Sequence, residues 1–388
     1  MPQKKSVAEY IDKDLIVELT TAMVKMDSQN PPGYCEHIAK YLKDKCNSLG
    51  LKAEIVPMDN KRANVVASYG EGERDIVLSG HFDTVPAGDP KKWELPPLSG
   101  EIKNNKIYGR GSADMKGGVA TLIAAMAGLK KAKIKLPYRV LFLGTADEEV
   151  GMKGASHLQK KGYMDSALCL IITEATDLQV AIAEKGPYWI RINVEGKAAR
   201  GSMPELGINA IEGACYGINH LKKILPSISH SLVGRSTINV GGIKGGVKTN
   251  IVPENCQVEI DIRLVPGVDV DKFDKEIKTL MENLSKEHPC TFSHEVIHSI
   301  PPLATNPSEP LVQNFLKNTH LILNRKSFPI GVTYGTDAAS LIPPRDIPLV
   351  IFGAGNPNII HKTNEYIDIT DLVNASRIIA ETIIDTYR

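Results

Sequence analysis

The segment that most restricts the fold runs from Val77 to Gly118, VLSGHFDTVPAGDPKKWELPPLSGEIKNNKIYGRGSADMKGG. A short apolar run, DIVLSG (75–80), leads into His81 and Asp83. Two residues apart on an extended backbone, these side chains leave the same face. A loop rich in Pro and Gly follows and closes on GRGSADMKGG, which sets Asp114 just ahead of the helical pattern GGVATLIAAMAGLKK (117–131). An imidazole at a strand end and a carboxylate at a helix start stand where an open α/β sheet gathers its site chemistry. Alone, each half is weak, because an HxD pair is more often an ordinary surface pair than a metal site.

The rest of the chain repeats the pattern. Apolar residues at helical spacing predict helices over 12–27 and 36–50, the first ended by NPPG (30–33). Strands are predicted at 51–57, 63–70 and 75–80, then a helix at 117–131 and a buried strand at the start of YRVLFLGTADEEVGMKGA (138–155). ALCLIITEAT (167–176) is again a strand running into an acid. Strands alternating with helices imply an α/β fold: a mostly parallel, twisted sheet with helices on both faces.

Near Gly186 the texture changes. GPYWIRINVEG (186–196) alternates like an antiparallel strand, and a helix (208–224), two strands (236–246, 256–265), a helix (269–284) and a strand (290–297) follow. That order is the split βαβ, ferredoxin-like pattern of an α+β domain. The expected division is 1–186 and 298–388 for the first domain, with 187–297 inserted. The return holds a helix (309–324), GTDAASL (335–341), a strand (347–355), His361 just beyond it, and a closing helix (370–387).

Bulk properties exclude some partners. Over 388 residues the formal net charge is +1, with no basic block, which removes the electrostatic case for nucleic acid or an anionic membrane. No apolar run reaches the ~18 residues of a membrane span, and MPQKKSVAEYIDKD lacks the apolar core of a signal peptide. The six cysteines are scattered without a CxxC pair, which points to reduced thiols in the cytoplasm.

His81/Asp83, Asp147-Glu148-Glu149, Glu174 and His361 all come just past an apolar strand, and Asp114 just before a helix. Such groups gathered on one sheet edge repel unless cations neutralise them. Neighbouring carboxylates such as Glu148 and Glu149 can divide two tasks, one holding a metal and the other taking a proton from water. Imidazole and carboxylate without thiolate suit zinc, with cobalt or manganese as substitutes.

Taken together, SGHFDTVP, GRGSADMKGG, GTADEEVG, ITEAT and AGNPNIIHKTNEYI resemble the motifs of the dinuclear zinc aminoacylase/carboxypeptidase family. That family includes acetylornithine deacetylase, succinyl-diaminopimelate desuccinylase and glutamate carboxypeptidase, and the resemblance spans essentially the whole chain. It implies a zinc-exopeptidase-like sheet and two metal ions per subunit. His81, Asp114 and Glu174 would hold one ion; Asp114, Glu149 and His361 the other. It further implies Glu148 as general base, Asp83 as the residue that orients His81, and a cis peptide after Asp114. Ala175 stands where the family's Glu-Pro-Thr segment has proline.

One departure falls in GKAARGSMPELGINAI (196–211), where Arg200 replaces the family's usual histidine. An arginine there can stabilise an oxyanion, hold a substrate carboxylate, or mark altered activity; the first is the working assignment. Asn250 and Arg263 match positions that hold a substrate carboxylate in the family, Arg263 being equally compatible with a plain strand ion pair. Thr336 and Gly355 fall on loops near the same edge. The implied activity is hydrolysis of the amide bond of an N-acyl amino acid or small peptide, in a homodimer formed through the inserted domain. Lys185, Arg200 and Arg263 tilt the substrate toward an acidic acyl group or free carboxylate. The alternatives are a metal-binding homologue with a ligand-binding or regulatory role that no longer turns over, and a dipeptidase or carboxypeptidase of the same family.

Overall fold

The strands before and after the opening segment form one sheet. The computed structural model describes residues 6–59 and 61–387; the basic start of the chain, 1–5, lies outside them. The central strands are β1 (Lys52–Pro57), β2 (Ala63–Tyr69), β3 (Asp75–His81), β4 (Arg139–Thr145), β5 (Ala167–Ile172), β6 (Ala181–Glu184) and β7 (Leu349–Ile351). Their spatial order is β1-β2-β4-β3-β5-β7-β6. The four in the middle are parallel: β3 pairs with β4 and β5, and β5 with β7. The outer pairs β1–β2, β2–β4 and β7–β6 are antiparallel, so the sheet is mixed, with its parallel part at the centre.

Every residue of β3 is buried, so both faces of the sheet are covered. Helix Gly117–Lys131 packs on β3 and β4, helix Glu36–Ser48 on β1 and β2, and helix Lys153–Lys160 on β2 and β4. The first of these is buried almost all round, because helices Lys13–Lys25 and Ile369–Asp385 cover its outer side. Apolar residues at all angles, rather than one stripe, suit it to that place.

From β3 the chain crosses to β4 on one side, then returns past β3 to β5 on the other. Crossovers that diverge around one strand leave a crevice at the carboxyl ends of the parallel strands. The loops after β3, β4, β5 and β7 all start at that edge, which is where the candidate ligands stand in sequence.

Residues Ala183–Leu303, with Gly331–Gly335, form a second compact unit. Its bounds are a few residues wider than the sequence predicts, and 331–335 carries no signal of membership. Its four strands, Gly186–Glu195, Thr237–Gly245, Asn255–Leu264 and Thr291–Ser299, pair antiparallel with the first and third at the centre. With helices Ala210–Lys223 and Val270–Glu287 this is the ferredoxin-like arrangement. Alternation sets its core: Tyr188, Ile190, Ile192 and Val194 with Val258, Ile260 and Ile262 line the sheet's buried face, in one cluster with Phe273 and Ile277 of the second helix.

All six cysteines are free, and five of them are buried. Among the described residues no helix is long and apolar enough to cross a membrane.

Candidate metal centre

His81 is the last residue of β3 and is buried. Its Nδ1 is 3.0 Å from the main-chain carbonyl of Asp83, which as an acceptor puts the proton on Nδ1 and leaves the Nε2 lone pair free. The Asp83 carboxylate was expected to orient the ring, yet it lies farther away, Oδ1 at 3.7 Å. It is engaged elsewhere: it accepts the main-chain N–H groups of Glu148 (3.1 Å) and Glu149 (3.3 Å), and the Asn30 amide at 2.9 Å. Asp83 thus holds the ring through its backbone and the Glu148–Glu149 turn through its side chain.

His81 Nε2 faces Asp114 Oδ1 at 3.3 Å, Glu174 Oε1 at 3.4 Å and Glu148 Oε2 at 3.8 Å. The other oxygen of Asp114, Oδ2, is 2.9 Å from His361 Nε2, and Glu149 Oε2 is 3.5 Å from the same nitrogen. Asp114 therefore offers one oxygen to each histidine. Its own backbone is fixed from behind: the N–H groups of Ala113 and Asp114 donate to Glu365 Oε1 at 2.9 and 3.2 Å, and Arg110 donates to Glu365 Oε2 at 2.5 Å. The Asp114–Met115 peptide is cis.

Two glycines let the β7 loop approach. A Cβ on Gly353 would lie 2.3 Å from the Glu174 carbonyl, and one on Gly355 would lie 2.6 Å from the Ala113 carbonyl. Gly355 thus packs between the loops that carry Asp114 and Glu174. Thr336 is buried and caps its own turn, its hydroxyl accepting from Ala338 N at 3.2 Å.

The electrostatics record a crowd of acids. Burial pushes the Glu174 carboxyl up to about 7, and raises Glu149 with help from the charge on Asp114. Burial drives Glu148 well above the usual carboxylate range, reinforced by Glu174, Glu149 and Asp337. His81 is also pushed well above its ordinary value: burial opposes this, and the charges of Glu174 and Glu148 outweigh it. The hydrogen bond to Asp114 lifts His361 to about 10. Burial works against the charged form of Asp114, but its bonds to His361 and His81 hold it below the usual range.

These residues fit divalent cations. Ligand atoms of His81, Glu148 and Glu174 lie within 4.8 Å of one another, as do those of His81, Asp114 and Glu149. Nitrogen and oxygen donors without sulfur match zinc, cobalt or manganese.

In the second unit, Arg200 and Asn250 are brought together. Arg200 bridges Ile251, and Gly201 N donates to the Asn250 carbonyl at 2.8 Å. Both side chains are exposed. Arg263 sits near the end of strand Asn255–Leu264, away from the turn at Asn250. Its Nε is 2.9 Å from Asp261 Oδ1, and its guanidinium lies 6.0 Å from the Trp189 ring. Lys185 donates to the Arg235 carbonyl at 2.6 Å.

Asn30, Arg62, Asp337 and Glu365 also support the cluster, and nothing in their local sequence marks them. Asn30 lies inside NPPG, whose local signal is that of a helix stop. Asp147, expected as part of the acidic run 147–149, supports the cluster through Asn30 and Arg62.

Oxygen and nitrogen donors gathered at the crevice of an α/β sheet, buried except for the half-exposed His361, fit a metal centre of the kind metal-dependent hydrolases use. Residues 77–385 match the family described as Peptidase family M20/M25/M40, and the chain belongs to it. A probable succinyl-diaminopimelate desuccinylase of Staphylococcus aureus is 29% identical over 381 residues, 91% of this chain and 92% of that protein. Aminopeptidase PepT from Bacillus cereus shares the fold with a TM-score of 0.80 at 23% identity, covering 98% of this chain and 100% of its own. A dinuclear metal-binding M20 peptidase from Bacillus subtilis does so with a TM-score of 0.75 at 14% identity, covering 96% and 98%.

Proposed function

We propose that this chain is a two-metal amidohydrolase that cleaves the amide bond of an N-acyl amino acid or small peptide. The observation that carries the reading is the split of Asp114, with Oδ1 at 3.3 Å from His81 and Oδ2 at 2.9 Å from His361. A carboxylate so placed could offer one oxygen to each of two cations. His81 and Glu174 would complete one ion's set, Glu149 and His361 the other's. Proximity alone also puts Glu148 among possible ligands. We assign it as the base because its contact to His81 Nε2, 3.8 Å, is the longest of that nitrogen's three acidic contacts, while Glu149 faces His361 and Asp114 faces both rings.

Two divalent ions, zinc first and cobalt or manganese as substitutes, would supply Lewis acidity toward the carbonyl and water. The protein's part is proton transfer and placement. Glu148 takes a proton from the attacking water and returns it to the leaving amine. The Asp83 carbonyl keeps the His81 ring in the tautomer that presents Nε2. On the inserted unit, Arg200 is assigned as the oxyanion donor, beside Asn250 as a substrate contact; Arg263 is assigned to the carboxylate end of a substrate. The unit pairs with a second copy through its edge strand Thr237–Gly245, where Ile243 is half exposed. An acidic acyl group fits the cationic residues, and the desuccinylase name of the staphylococcal relative points the same way. Free, mostly buried thiols suit a cytoplasmic address.

The test is amine release by zinc- or cobalt-loaded protein from N-succinyl-diaminopimelate, N-acetylornithine, N-acetyl amino acids and dipeptides. Turnover of at least one class is expected. Silence across the panel with two metals bound per chain would favour a non-catalytic homologue and make Arg200→His the next variant. An unchanged turnover rate in Arg200→Ala would remove that residue from the oxyanion role.

A further inference from the structure

Behind the general base lies a buried clamp whose centre is Asn30. Its side chain is almost fully buried, and its Nδ2 donates in two directions, to Asp83 Oδ2 at 2.9 Å and to Asp147 Oδ1 at 3.1 Å. An amide nitrogen has two hydrogens, so both are used, one for each carboxylate. Asp83 in turn takes the main-chain N–H of Glu148 and of Glu149. Asp147, immediately before them, sits at a positive φ of 67° and is gripped by Arg62 Nη1 at 2.7 Å. The Asp147 carbonyl accepts Met152 N at 2.6 Å, which closes the turn. Two buried acids therefore flank the Glu148–Glu149 turn, one bonded to its N–H groups and one leading into it. Asn30 is the residue that touches both.

The rest of the Asn30 segment is tied to the same place. Asn30 N donates to the Thr84 carbonyl at 2.7 Å, and Thr84 N to the Ser28 carbonyl at 3.1 Å. Residues 28–30 thus run alongside the chain that leaves His81 and Asp83, so the amide is held on rigid backbone.

We propose that Asn30 is a positioning residue: by joining Asp83 to Asp147 it fixes the turn that carries both the base and its neighbouring ligand. It touches neither substrate nor metal, and it acts through those two acids. This rests on the metal-site reading above, with Glu149 as a ligand of one ion only. The prediction is therefore asymmetric. Disturbing the turn weakens the ion that uses Glu149 and leaves the ion held by His81, Asp114 and Glu174 nearly unchanged.

The experiment compares Asn30→Asp and Asn30→Ala with the parent by zinc titration of the metal-free full chain, followed by steady-state kinetics on any substrate found. Asn30→Asp keeps the shape but replaces the shared donor with a third carboxylate. Supporting groups of this kind change metal affinity or activity by about 10–100-fold. The expected result is a loss of that size in one of the two zinc affinities, the other holding within about threefold, and a fall in kcat rather than a rise in KM. Equal weakening of both ions, or no change in either, overturns the proposal. Arg62→Gln approaches the clamp from Asp147 and serves if both Asn30 variants fail to fold; an unaltered second zinc affinity there also overturns it. Because the titration needs no substrate, a failed substrate panel and a failed clamp are separate results.

Discussion

Glu148→Gln is expected to lower kcat by about 10²- to 10⁴-fold, the usual contribution of a positioned general base. That corresponds to about 3–5 kcal/mol of transition-state stabilisation. Glutamine keeps the size and one acceptor oxygen but cannot take a proton. The wild-type carboxyl stands among Glu174, Glu149 and Asp337, and burial raises its proton affinity far above that of a free glutamate. A carboxylate with raised proton affinity is suited to take a proton from water and give it back to an amine. Metal content should stay at two per chain, since the proposed ligand sets do not use Glu148. Amine-release kinetics with metal analysis decides the matter: a kcat within threefold of wild type, or loss of an ion, would remove Glu148 from the base role.

The second large effect concerns pH and metal together. In the metal-free protein, burial raises Glu174, Glu365 and Asp337 each to about 7, from 4.5, 4.5 and 3.8. Between the unfolded and folded values the native state holds more protons, so stability falls as pH rises from about 4 to 7. His361, lifted from 6.5 to about 10, adds stability present below 6.5 and lost as pH rises toward 10. His81 is raised as well and has the same sign. Asp114 is depressed and has the opposite sign, acting only below its ordinary value of 3.8. Metal binding needs the proposed ligands, Glu174, His81 and His361 among them, deprotonated and strengthens with pH. The gap in melting temperature between zinc-loaded and chelator-treated protein should therefore widen from pH 5 to pH 8. At free zinc near a thousand times its dissociation constant the stabilisation is about 4 kcal/mol. Thermal melts at four pH values test this, and a gap that stays constant or shrinks contradicts it.

Local pattern made much of this architecture legible. Helix Gly117–Lys131 and strand Ala167–Ile172 fall where the apolar spacing put them, and the alternation of 186–196 marked the change to antiparallel structure. The acids after strands were visible for the same reason, since each stands at a period break. What was hidden depends on distance along the chain. Asn30 meets Asp147 across 117 positions, Thr145 meets Asp337 across 192, and Glu365 meets Ala113 across 252. No spacing rule reaches that far. The short strands Ala181–Glu184 and Tyr366–Asp368 lack a long periodic signal and form by pairing with distant partners. Asp83 shows a finer limit, because sequence identifies the residue but not which of its oxygens does which task. Arg263 shows the reverse: its partner Asp261 is two residues away on the same strand face, a pairing that period-two alternation already contains.

The sheet parts with its chain at Ile182 and regains it at Ala304, and there Thr305 N meets the Ile182 carbonyl at 2.8 Å. Two ends pinned a hydrogen bond apart impose almost no length on what is strung between them, because the entropy of closing a loop grows only with the logarithm of its size. Lengthening, shortening or exchanging the excursion leaves the strand partners of the sheet where they were. Inheritance can therefore act on the two parts at different rates, holding the ion-bearing edge to the demands of one reaction while the guest between Ile182 and Ala304 drifts toward new acyl groups, new peptides or new subunit contacts.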